Sequence, residues 1–218
     1  MTGSFAIIFD MDGVIVDSNP YHKIALQQFA QKHGYELTEQ LLKEKVYGRT
    51  NKQWILNLFG SLPEEKVKQY AREKEAMYRE LYKNDISPVK GLVDFLELLE
   101  KNNIAKAIGT SAPRINVDFS LGSTHLEKYF SVILDDTFVT EGKPNPEIYI
   151  KAAKALGLPN SQCIVIEDSL SGVIAGKRAG SKVIGITTTH TVEELHEADL
   201  IIKDFDELTI EKLQKLIA

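Results

Sequence analysis

The sequence predicts an α/β fold: a parallel sheet with helices on both faces, interrupted near its start by an α-helical insert. Three features of the 218 residues lead to it. Six short apolar runs have the look of buried strands, helical patterns alternate with them from about residue 90 onward, and the stretch 17–87 holds helical patterns with no convincing strand.

The first run, "FAIIF" at residues 5–9, is apolar and rich in β-formers, and Asp10 follows it, the pattern of a strand buried on both faces. In the insert, "NPYHKIALQQFAQKHG" reads as a helix with Asn19 as N-cap, Pro20 at the first helical position and Gly34 as the stop. "PEEKVKQYAREKEAMYRELYK", residues 63–83, is highly charged and amphipathic and reads as a second. Beyond the insert, helical patterns at 91–103, 145–158 and 171–180 separate the strand runs "AKAIGTS", "FSVILDD", "CIVIED", "KVIGITT" and "DLIIKD". The first strand must pair with these later ones. A discontinuous Rossmann-like core of residues 1–16 and 88–218 is therefore expected, with a helical cap at 17–87 and a hinge at the two crossings.

The formal net charge of −5, with Lys and Arg scattered, offers no basic field for nucleic acid, and the expected partner is a small molecule. The single cysteine, Cys163, sits in an apolar run, which excludes a disulfide framework and fits a reducing compartment. No apolar run approaches a membrane span, and "MTGSFAIIFD" reaches an acidic residue before a secretory apolar region is complete. A cytoplasmic monomer without membrane or nucleic-acid partners is the expectation.

In open α/β sheets ligands bind outside the carboxyl ends of the strands, so polar residues that end strands are the site candidates. Asp10, Asp12, Ser111, Glu167 and Asp168 qualify, and Lys143, in a loop before a helix, can reach the same edge. Residues i and i+2 of an extended chain point to one side, so Asp10 and Asp12 face one ligand while Met11 turns away and Gly13 permits a sharp turn. Like charges so close are costly unless a cation neutralises them or one carboxyl is protonated. Mg²⁺, which takes a few carboxylates, waters and a substrate phosphate, resolves that cost. Ser111 supplies a hydroxyl and Lys143 a point charge for phosphate oxygens. One carboxylate then suits the role of nucleophile and the other that of proton donor to the leaving oxygen.

The ordered set "DMDGV", "GTSA", "GKPNPEIY" and "IEDSLSG" resembles the four signature motifs of the haloacid dehalogenase superfamily. The placement of the helical insert is similar to the cap of its β-phosphoglucomutase-like subgroup. The resemblance covers essentially the whole chain. It implies that Asp10 becomes an aspartyl phosphate and that Asp12 is general acid and then base. It further implies that Ser111 and Lys143 hold the phosphoryl group. Asp10, the main-chain carbonyl of Asp12 and Asp168 would ligate Mg²⁺, with Glu167 in or beside that shell. Asp12 also argues against dehalogenation, since family members acting on haloacids lack the second Asp and need no metal.

In the cap, "YH" at Tyr21 and His22 is similar to a β-phosphoglucomutase pair whose His couples cap closure to acid/base positioning. "YGRTN" resembles the substrate-reading cap loop, with Arg49 toward the substrate's far end. The mutase pattern has Lys before that Gly and Arg three residues after it, whereas this chain has Tyr47 and Asn51. Pro113 and Arg114 also stand where mutases often carry small polar residues. His33, His125, His190 and His196 match no motif and read as surface or helix-end residues. Trp54, Leu58 and Phe59 read as packing among the cap's own helices. The expected activity is a Mg²⁺-dependent phosphohydrolase for a small phosphorylated metabolite, a sugar phosphate, with β-phosphoglucomutase as the alternative and a non-catalytic phosphate-binding protein as a third reading.

Overall fold

The computed structural model describes residues 5–46 and 50–218. The chain divides into two compact units, Met1–Asp17 with Ile86–Ala218, and Ser18–Asp85.

The first unit is built on six strands, β1 (Ala6–Phe9), β2 (Ala105–Gly109), β3 (Val132–Leu134), β4 (Cys163–Glu167), β5 (Lys182–Ile186) and β6 (Leu200–Ile202). Each of the six apolar runs is a strand, and every pairing is parallel, in the order β3-β2-β1-β4-β5-β6. The first strand in the chain lies in the middle of the sheet, which is why "FAIIF" carries no polar residue. Alternate residues of β1 serve opposite faces. Ala6 and Ile8 pack with Ile148, Tyr149, Ala152 and Val173, from α7 (Glu147–Ala155) and α8 (Leu170–Arg178). On the other face the Phe9 ring meets Phe95 of α5 (Leu92–Lys101) edge-on, and also Phe130 and Phe205. Helices thus cover both faces; α6 (Arg114–Thr124) and α9 (Ile210–Ile217) complete the unit. The chain leaves β1 toward β2 on one side and β4 on the other, so the crevice that such a reversal opens lies at the carboxyl end of β1. Cys163 is a free, buried thiol on β4, pushed up to about 11 by burial.

The second unit is helical: α1 (Asn19–Lys32), α2 (Glu39–Lys45), α3 (Asn51–Phe59) and α4 (Glu64–Tyr82). Asn19 proves to be the first helical residue rather than the cap. Ser18 stands outside it, its carbonyl accepting from the N–H groups of Tyr21 and His22, and Pro20, which has no N–H to satisfy, occupies the first turn. Gly34 ends α1 in the left-handed region, at φ 81°. Phe29, Leu42, Trp54, Ile55 and Leu58 form this unit's core, with α3 started by a reciprocal Thr50/Gln53 capping box.

A buried polar network runs through the same unit. Lys74 and Glu75, each 5% exposed, pair at 3.0 Å, and Lys74 Nζ lies 2.8 Å from His22 Nδ1. Asn51 donates to Glu75 and accepts from the Trp54 indole, both at 2.9 Å, and the His22 ring stacks on Tyr78 at 3.7 Å. Among the described residues no helix is long and apolar enough to cross a membrane.

Candidate active site

Three strand ends and one loop build the site in the first unit. Phe9 is level with Ile166 of β4, and the Asp10 N–H donates to the Ile166 carbonyl, so Asp10 leaves β1 beside Glu167 and Asp168. The next residues turn back sharply: Gly13 has φ 75°, and the N–H groups of Val14, Ile15 and Val16 all converge on the Met11 carbonyl. Met11 is fully buried, while Asp12 is half-buried.

The Lys143 ammonium sits between two carboxylates, 2.6 Å from Asp10 Oδ1 and 2.6 Å from Glu167 Oε1. Glu167 is completely buried and heavily engaged. Its Oε1 also accepts from the Tyr149 hydroxyl at 2.6 Å, and its Oε2 accepts from the Asp168 N–H, the Ser169 N–H and the Ser169 hydroxyl at 3.0–3.1 Å. α8 approaches so closely that a Cβ on Gly172 would fall 1.7 Å from Glu167 Oε1, which accounts for the glycine in "IEDSLSG".

Electrostatics follow from that geometry. Burial, reinforced by Glu167 and Asp12, pushes the Asp10 carboxyl up to about 7 against the opposing pull of Lys143. Burial, with Glu167 and Asp10 nearby, raises Asp168 well above the usual carboxylate range. Glu167 goes the other way: burial would raise it, but Lys143 and its hydrogen-bond donors hold it low. Burial would likewise lower Lys143, but its two carboxylates raise it. Burial first, and then the surrounding carboxylates, keep the Tyr149 phenol protonated, so it serves as a donor.

Asp10, Glu167 and Asp168 each offer an oxygen, all within 4.8 Å of one another. With one ammonium against three buried carboxylates, the cluster carries two surplus negative charges when ionised, and hard oxygen donors so arranged fit a divalent cation of the Mg²⁺ or Ca²⁺ type.

The structure thus brings Asp10, Lys143, Glu167 and Asp168 into one cluster. Asp12 follows on the same loop, and Ser111 stands exposed just past the end of β2, the strand next to β1. His22 belongs to the helical unit, and Arg49 lies outside the described residues.

Several participants were not singled out from the sequence. Tyr149 lies within "GKPNPEIY", but its helical spacing reads equally as core. His190, expected at the surface or a helix end, instead has Nδ1 2.9 Å from the Asp168 carbonyl, and the Thr188 hydroxyl donates to the Gly13 carbonyl at 2.5 Å. Neither residue has a local sequence pattern that would mark it.

Comparison with known proteins gives the same site a family. The chain is 33% identical over 187 residues to the phosphorylated carbohydrates phosphatase of Thermotoga maritima, covering 83% of this chain and 84% of that protein. Among solved structures, a HAD hydrolase of family IA, variant 3, from Entamoeba histolytica superposes with a TM-score of 0.91 at 38% identity, over 98% of this chain and 99% of that one. A β-phosphoglucomutase from Clostridium difficile superposes with a TM-score of 0.83 at 29% identity, over 99% and 97%. The haloacid dehalogenase-like hydrolase model matches residues 7–186, from the first strand to the end of β5 and so through every residue of the carboxylate cluster. With its Asp10–Gly13 loop, lysine and paired acids at the strand ends, and with the family model matched over residues 7–186, the chain belongs to the haloacid dehalogenase-like hydrolase family.

Proposed function

We propose that the protein is a Mg²⁺-dependent phosphohydrolase that acts on a small phosphorylated metabolite, a sugar phosphate, through an aspartyl phosphate on Asp10. The observation that carries this reading is the placement of Asp10 at the switch point of the sheet, 2.6 Å from Lys143 and beside the buried acids of β4. The relative from Thermotoga, a phosphorylated carbohydrates phosphatase, supports the substrate class.

Asp10 attacks phosphorus while Asp12 gives its proton to the leaving oxygen, which departs as the alcohol. Asp12, now a carboxylate, takes a proton from water as that water attacks phosphorus, freeing phosphate and restoring Asp10. Lys143, with the Ser111 hydroxyl, holds the phosphoryl oxygens. Asp10, the Asp12 carbonyl and Asp168 would hold the cation, with Glu167 beside that shell and turned to fixing Lys143. When bound, Mg²⁺ neutralises the carboxylates and draws charge from the phosphoryl group. Of the cap residues, His22 is assigned to coupling cap closure to acid/base positioning and Arg49 to the substrate's far end.

The β-phosphoglucomutase likeness keeps a second reading in play, in which a sugar hydroxyl rather than water dephosphorylates Asp10. Against it, Asn51 stands where the mutase pattern has Arg, so that guanidinium is missing, and the Asn51 amide is committed to Glu75 and the Trp54 indole. Phosphate release with Mg²⁺ across a panel of sugar phosphates, with isomer products measured in the same samples, separates the two. Stoichiometric phosphate supports the hydrolase; glucose 6-phosphate formed from β-glucose 1-phosphate with little free phosphate replaces it with the mutase.

A further inference from the structure

We propose that Thr188–Thr189–His190, one residue past the end of β5, is a positioning strap that aims the Asp168 carboxylate at the cation. The inference rests on the functional reading above. Three successive residues reach two other strand ends. The Thr188 hydroxyl donates to the Gly13 carbonyl at 2.5 Å, which ties down the turn that follows Asp12. The Thr189 side chain hydrogen-bonds the Asp168 side chain. His190 Nδ1 lies 2.9 Å from the Asp168 main-chain oxygen. A carbonyl oxygen only accepts, so the His190 proton is on Nδ1.

Asp168 is 3% exposed and stands beside Glu167 and Asp10, so repulsion favours turning its carboxylate away. A hydroxyl on one carboxylate oxygen opposes that: it fixes rotation about Cβ–Cγ and leaves the second oxygen for a cation. The His190 contact pins the backbone from which that side chain springs. Such outer partners of a ligating carboxylate typically govern metal affinity by about 10–100-fold. Thr189 is exposed as a residue, so its replacement tests orientation rather than core packing.

The test is calorimetric titration of the full chain with Mg²⁺, alongside thermal unfolding in EDTA. Thr189→Val should bind Mg²⁺ about tenfold or more weakly, with unfolding in EDTA unchanged, while Thr189→Ser, which keeps the hydroxyl, stays within about twofold of the wild type. His190→Ala should weaken binding, and His190→Asn, whose amide nitrogen can replace Nδ1–H, should restore it. The Mg²⁺ concentration for half-maximal turnover should move in step, with substrate KM constant at saturating Mg²⁺. Wild-type affinity in Thr189→Val, or equal loss in Thr189→Ser, overturns the strap while leaving the phosphohydrolase reading intact. A wild-type chain that neither binds Mg²⁺ nor releases phosphate overturns both.

Discussion

The Lys143 ammonium lies 2.6 Å from Asp10, although 133 positions separate the two in the chain, and both side chains are nearly removed from solvent. That pair fixes the Asp10 carboxylate at the end of β1. Its partner on the other side, Glu167, makes the lysine a bridge between two strand ends.

Replacing the Asp10 carboxylate separates chemistry from binding. Asp10→Asn should lower phosphate release by about a thousandfold or more and abolish labelling of the protein from a ³²P ester. Asp12→Ala should lose about 10²–10⁴-fold on sugar phosphates but much less on p-nitrophenyl phosphate, whose leaving group needs no proton. Equal losses on both esters would remove Asp12 as the acid.

Lys143→Met leaves Asp10 and Glu167 buried without their counter-charge. Breaking a buried pair of this kind costs about 3–5 kcal/mol, and the loss should appear as a lower urea midpoint as well as lost turnover. A midpoint equal to wild type would mean that solvent reaches the cluster freely.

The metal-free protein should lose stability as pH rises. Asp10 has its carboxyl raised from 3.8 to about 7, so between those values the native state binds more protons than the unfolded chain. Stability from this group is full below about pH 4 and is lost as pH climbs through 7; Asp168 acts in the same sense, and Glu167, held low, is already ionised above pH 5 in both states. In EDTA the unfolding temperature should fall between pH 5 and pH 7.5, and Mg²⁺ should raise it more at pH 7.5. An equal Mg²⁺ effect at both pH values would contradict the raised carboxyls.

Gly172→Ala places a methyl on Glu167. Overpacking of this sort costs about 1–3 kcal/mol, and displacement of Glu167 should also free Lys143 and depress turnover. Denaturation and kinetics on the same preparation check it; an unchanged variant would show that α8 shifts without consequence.

Much of the fold is readable in local chemistry. All six apolar runs become strands because each is too apolar to rest on a wet surface, and the helix at Glu64–Tyr82 follows from its amphipathic spacing. The short helices Glu39–Lys45, Asn51–Phe59 and Ile210–Ile217 were not singled out, since brief segments carry few turns of periodicity and are stabilised by packing. Asp10, Glu167 and Asp168 were legible as acids that end apolar runs, and Lys143 by its place in the ordered motif set.

What the sequence by itself determined is the α/β class, the strand runs and the chemistry of the motif residues, all of which depend on near neighbours in the chain. Only the tertiary structure decided that β1 lies between β2 and β4, that Tyr149 gives its hydroxyl to Glu167, and that Thr188 and His190 brace the loops of Gly13 and Asp168. Those contacts join residues 18 to 175 positions apart, and their partners are chosen by strand order and register, which no local pattern encodes.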